Sequence, residues 1–142
     1  MLDNAKPGSP LELEGLPPSG LAYALAQWER SRPVLVVVHD DERAEAVVRD
    51  LRAFGLVDAT LFPGEPHVPF EDVSIDPAVT AARLALRARW RREGRPRITV
   101  VSVASLQSRW IEESVFRDAS VLLRPGEDID REVLARTLVR AG

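Results

Sequence analysis

The sequence predicts an α/β fold with a mainly parallel sheet and helices on both faces. Two observations carry this expectation. Short apolar runs alternate along the chain with segments of helical apolar periodicity, the order expected of strand–helix–strand units. The strongest run, Val34 to Val38, is apolar at every position, as strands covered on both faces are.

Taken in order, residues 1–10 read as a flexible tail and Leu11 to Glu14 as a short alternating strand candidate. Leu21 to Arg30 reads as a helix with Leu21, Leu25 and Trp28 on its apolar face, ending before Pro33. After the Val34 to Val38 strand, Asp40 or Asp41 can cap a helix whose stripe is Ala44, Val47, Val48 and Leu51. Gly55 stops it, and Ala59 to Phe62 is a short strand. Asp76 and Pro77 open a helix running to about Gly94. Ile98 to Val103 is a further strand, Ala104 to Trp110 a short helix or turn, and Ala119 to Leu123 a last strand. Asp128 to Arg140 closes as an amphipathic helix with Val133, Leu134 and Leu138 inward.

Composition bounds the function. The chain has 142 residues, 45% hydrophobic and 29% charged, which suits one globular domain, or one domain and the start of another. With no Cys there is no disulfide framework and no thiolate zinc site, which fits a cytoplasmic protein. No apolar run approaches the roughly 20 residues of a membrane helix, and the first residues lack a secretory pattern. A net charge of −3 argues against general nucleic-acid binding. Lys6 is the single lysine, so nearly all positive charge is arginine.

Gly15 and Gly20 have the spacing of a phosphate-binding P-loop set between a strand candidate and a helix. The Lys and Ser or Thr that should follow are Leu21 and Ala22, which can neither reach phosphates nor hold Mg²⁺. Pro17 and Pro18 remove two backbone N–H groups from any anion cradle. The plain alternative is a strand-to-helix turn with Ser19 as N-cap. Either way no cofactor is expected.

The stretch from Pro63 to Pro77 holds four prolines and little periodicity, so it is expected to be a long loop. Its apolar residues Val68, Phe70, Val73 and Ile75, rimmed by Glu65, Glu71, Asp72 and Asp76, either tuck over the sheet edge or form a docking surface. Arg83, Arg87 and Arg91 recur every four residues on the next helix, and Arg89, Arg92, Arg95 and Arg97 extend the positive zone. Salt bridges within the chain, a protein interface and phosphate contacts each account for such a stripe. Trp90 is expected inward with Leu86. Val34 to Val38 followed by His39, Asp40 and Asp41 imitates a metal-binding acidic strand end, but helix capping explains the acids more simply. His39 and His67 lack the further ligands of a zinc site. No metal is expected, and no serine has an identifiable histidine partner for catalysis.

Leu61-Phe62-Pro63, Pro69-Phe70-Glu71, Ser74 and Arg83-Leu84 resemble the N-terminal segment of the bacterial transcription-repair coupling factor family, Mfd. There, Phe-Pro, Pro-Tyr-Asp, Ser-Pro and Arg-Leu recur at these spacings. Pro33 to Asp40 with Glu42, Glu45 and Leu51, then Ile98 to Arg109, then Gly126, Asp128 and Leu134, extend the resemblance over nearly all of the chain from about Leu13. The family's Trp-Glu is Glu65-Pro66 here, its Tyr is Phe70, and its Ser-Pro is Ser74-Ile75.

That segment is similar to the first domain of the excision-repair helicase UvrB, so the resemblance implies a RecA/helicase-like fold with a degenerate P-loop. It places the UvrB-like subdomain at residues 11–118 and the truncated start of a second subdomain at 119–142. It implies a non-catalytic protein-interaction module supporting UvrA recruitment, with other domains of the same parent chain as further partners. The main UvrA contact is expected beyond Gly142. RNA polymerase and DNA are expected to be engaged only by domains absent here, among them the ATP-driven translocase. Val68, Pro69, Phe70, Glu71, Arg83 and Arg87 are the candidate interface. The competing readings are a residual nucleotide-binding domain and a duplex-DNA binder using the arginine face.

Overall fold

The computed structural model describes residues 12–28, 32–64, 76–107 and 110–141. The chain divides into two compact units, Met1–Ser108 and Arg109–Gly142.

The first unit is α/β. It comprises α1 (Gly20–Gln27), β1 (Val34–Val38), α2 (Asp41–Ala53), β2 (Thr60–Leu61), α3 (Pro77–Glu93), β3 (Ile98–Ser102) and α4 (Val103–Gln107). The strands form a parallel sheet in the order β1-β3-β2. β3 is the central strand, and its Ile98, Val100, Val101 and Ser102 are all buried. Among the described residues β1, although apolar throughout, is covered on one face only, with Leu35 and Val37 exposed on the other, against the expectation of cover on both.

The register explains the two sides of the sheet. Val34 and Val36 lie opposite Ile98 and Val100, and Leu61 also lies opposite Val100. Those residues face α1 and α2, where Ala22, Leu25, Ala44, Val47, Val48 and Leu51 complete one apolar cluster. Alternation sends Val101 to the other side. There it packs with Phe62 and with Leu86 and Trp90 of α3.

Helix starts follow local capping chemistry. The Asp40 carboxylate accepts from Arg43 N at 2.7 Å, and Asp41 and Glu42 in the first turn suit the positive end of α2. Asp76 accepts from Ala78 N at 2.8 Å with Pro77 in the first turn of α3. Gly94, at φ +85°, ends α3 in a conformation that other residues adopt only with strain.

The second unit holds α5 (Glu113–Asp118) and α6 (Arg131–Ala141). α6 starts later than Asp128 because Asp130 caps it, accepting from Glu132 N at 2.8 Å and Val133 N at 3.2 Å.

Several expectations are corrected. Ala119 to Leu123 is not a strand; it is exposed and irregular, and among the described residues of its unit no strand is present to pair with it. Glu12 to Glu14 form no strand either, while Leu11 and the tail at 1–10 lie outside the described residues. α1 stops at Gln27, because Trp28 turns to extended backbone and is exposed, and Ala22 takes its place inward. Val133 and Leu138 of α6 are exposed, with Leu134 half-buried. α5 was not foreseen, since six residues are too few to show helical periodicity. Among the described residues no helix is long and apolar enough to cross a membrane.

Candidate functional site

The glycine loop leads directly into α1. Gly15 has φ +67°, a value suited to glycine. Gly20 N donates to Pro17 O at 2.7 Å, and Tyr23 N donates to Ser19 O at 3.0 Å. Ser19 occupies the N-cap position, but its side chain makes no capping hydrogen bond. A Cβ on Gly20 would stand 2.8 Å from Pro17 Cδ, so close packing on the proline ring is what requires glycine there. Leu21 packs against the apolar cluster and Ala22 belongs to it, at 1% exposure. The two positions that would carry phosphate chemistry are therefore spent on packing α1 against the rest of the unit. Arg43 of α2 donates through Nη2 to Pro18 O at 2.7 Å. The contact a cation makes with this loop is thus to a carbonyl of the loop itself.

The carboxyl ends of the strands gather the other residues of interest. Phe62 N extends the sheet by donating to Val100 O at 2.8 Å. Arg83, at 8% exposure, donates from Nε to Pro63 O at 2.9 Å, and its guanidinium carbon sits 5.0 Å from the centre of the Phe62 ring. That arrangement joins a charge-assisted hydrogen bond to a cation–π contact. Phe62 in turn meets Trp90, with ring centres 6.5 Å apart. Arg83 thereby fastens the start of the long loop to α3. Arg87 is half-buried one turn further on. Val68, Pro69, Phe70 and Glu71 lie outside the described residues.

A polar chain missed in the sequence spans the same end. Ser102 donates to Ser105 Oγ at 2.9 Å, Ser105 donates to Asp41 Oδ1 at 3.2 Å, and Ser105 N donates to Ser102 Oγ at 3.1 Å. Both serines are fully buried, so the carboxylate and the amide satisfy hydroxyls that would otherwise be costly to bury. Gly64 lies so close to Asp41 that an added Cβ would overlap its carboxylate. The signal in the sequence was two serines three residues apart at a strand end, the spacing that lets a hydroxyl meet the amide of the following turn. Asp40 and Asp41 thus act as helix cap and serine partner. Among the described residues no three His, Cys, Asp or Glu side chains gather as metal ligands would.

The arginine stripe divides. Arg83 turns inward, while Arg89 and Arg92 hold Glu93 from two sides, at 2.8 and 2.6 Å. These hydrogen bonds, Arg92 foremost, keep the Glu93 carboxyl below its ordinary value.

No protein-family model matches the chain, and no solved structure matches it. A transcription-repair-coupling factor from Myxococcus xanthus aligns with the whole chain at 28% identity. The chain is similar end to end to a region of Mfd. It spans 13% of that protein's length. The similarity is distant, and it covers both units, so α5 and α6 fall within the Mfd-like region as well as the sheet.

Proposed function

We propose that the chain is a non-catalytic, UvrB-like module of a transcription-repair coupling factor, descended from a helicase-type P-loop domain. Its role is protein contact: supporting UvrA recruitment and interdomain regulation in transcription-coupled nucleotide excision repair. The observation that carries this reading is the fate of the glycine loop, in which Leu21 and Ala22 have become packing residues and Arg43 binds a loop carbonyl. A site that bound nucleotide would keep its donors turned toward the phosphates. The similarity of the whole chain to a transcription-repair-coupling factor supports the repair context. The contact residues proposed are Val68, Pro69, Phe70 and Glu71 with Arg87, next in sequence to the Pro63 carbonyl that Arg83 holds.

The test is UvrA binding, measured for this chain and for a version extended through the rest of the second subdomain, at two salt concentrations. Binding by the extended version alone makes residues 1–142 the platform for a contact further along. Equal binding by both places the contact here and makes Phe70 and Arg87 the residues to substitute, Arg83 being buried against Phe62 and Pro63. Binding by neither removes the UvrA assignment. Saturable binding of ATP with Mg²⁺ would overturn the non-catalytic reading in favour of a residual nucleotide site.

A further inference from the structure

We propose that the amino-terminal end of the sheet in the first unit binds the backbone phosphates of duplex DNA through Arg91, Arg95 and Arg97. This contact is distinct from the protein interface proposed above and lies at the opposite end of the strands from Arg83.

Residues 87–97 contain six arginines and one acid, Glu93. Glu93 is already committed to Arg89 and Arg92. Among the described residues Arg91, Arg95 and Arg97 have no side-chain hydrogen bond or ion pair. The parallel strands start together here, since Val34 N donates to Arg97 O at 2.8 Å, so the Gly94 to Arg97 turn stands at the foot of the sheet. Arg89, Arg95 and Arg97 line an open cavity of about 200 Å³ with Thr60, Trp90 and Gly94. Asp58 and Glu93 line the same cavity, but Glu93 is held by Arg89 and Arg92, so Arg95 and Arg97 face Asp58 as the remaining carboxylate and an anion is held at the rim.

The negative end of α3 accounts for Arg91 and Arg92 by the helix dipole. It does not account for Arg95 and Arg97, which follow Gly94 and make no side-chain hydrogen bond or ion pair among the described residues. On a chain of net charge −3, such a pole also sets orientation, because the remaining surface repels a polyanion. DNA is favoured over an acidic peptide because its charge density, about one phosphate per 1.7 Å of duplex, suits several cations gathered at one helix end and the turn after it. Guanidinium forks serve phosphate and carboxylate alike, so competition by an acidic peptide separates the two.

The experiment is fluorescence anisotropy of a labelled mixed-sequence duplex titrated with the full chain. Wild type should bind with a steep loss of affinity as salt rises. Arg95→Gln with Arg97→Gln should reduce the salt slope by about two, and Arg95→Glu with Arg97→Glu should weaken binding at least about tenfold. Arg131→Glu with Arg136→Glu on α6 makes the same change in net charge and should leave affinity unaltered. These arginines are exposed, and a melting curve for each variant checks that the fold is intact. Equal losses in the two charge-reversed pairs would overturn the proposal, because net charge alone would then be the cause. So would absence of binding at low salt, or displacement of the duplex by a polyglutamate peptide at equal charge concentration.

Discussion

A guanidinium buried as deeply as that of Arg83 would cost several kcal/mol if it met only apolar atoms. Here the Pro63 carbonyl and the Phe62 ring face receive it. Arg83→Ala should therefore lower the unfolding free energy by about 2 kcal/mol, read from urea denaturation. Arg83→Lys should recover little of this, since an ammonium lacks the planar fork that serves carbonyl and ring together. Full recovery by lysine would mean that charge alone matters. Gly64 poses a steric question at the same end of the sheet. Gly64→Ala places a methyl on the Asp41 carboxylate, and Asp41 is the acceptor for buried Ser105. A loss of about 1–3 kcal/mol is expected, and in an Asp41→Ala background, where the overlapping atoms are gone, the added cost of Gly64→Ala should fall. The motif resemblance drew attention to Arg83, and its early position in α3 is legible in the sequence. Its burial is not, because that depends on where Phe62 and Pro63 lie across the fold.

At the scale of elements, the glycine loop and α1 act as one packing piece. Replacing Leu21 with Lys and Ala22 with Thr would restore the letters of a phosphate loop. Ala22 is fully enclosed, so the added hydroxyl and methyl overpack the cluster. The double variant should lose about 1–3 kcal/mol and should not gain Mg²⁺-ATP binding, because Pro17 and Pro18 still lack N–H groups. Calorimetry with ATP that detected binding would show that the loop backbone remains competent. The end of α3 carries a pH dependence. The folded-state pKa of Glu93 is depressed by Arg92 and Arg89, so its contribution is present above the unfolded-state value and disappears as pH falls through the lowered folded value. Glu93→Gln should flatten that acidic limb: the variant melts slightly below wild type at neutral and alkaline pH and converges with it in acid, where the wild-type carboxyl is protonated. Strand and helix identity were readable where pattern and caps agreed, as in β1, α2, α3 and β3. Ala119 to Leu123 had the apolar run of a strand but no pairing partner among the described residues of its unit, and pairing is a property of the sheet that a single run cannot reveal.

For the whole first unit, α/β class was legible because an unalternating strand and striped helices imply layers. Strand order was not, since nothing local in Thr60-Leu61 says that it lies beside β3 rather than β1. That order has a consequence for behaviour. Among the described residues β1 is an edge strand, and on the side away from α2 its Leu35 and Val37 are 57% and 48% exposed. The cluster of α3 with Phe62 and Val101 covers part of that side but does not include these two residues. An exposed apolar edge strand is a template for pairing with another chain. At raised concentration the isolated chain should therefore self-associate, and Leu35→Lys with Val37→Lys should suppress this. Both side chains already contact water, so the melting temperature should change little, the free-energy effect staying within about 0.5 kcal/mol. Sedimentation equilibrium over a concentration series decides between the outcomes. Association that persists in the double variant would shift responsibility to another surface, and a large drop in melting temperature would mean that Leu35 and Val37 hold the sheet together after all.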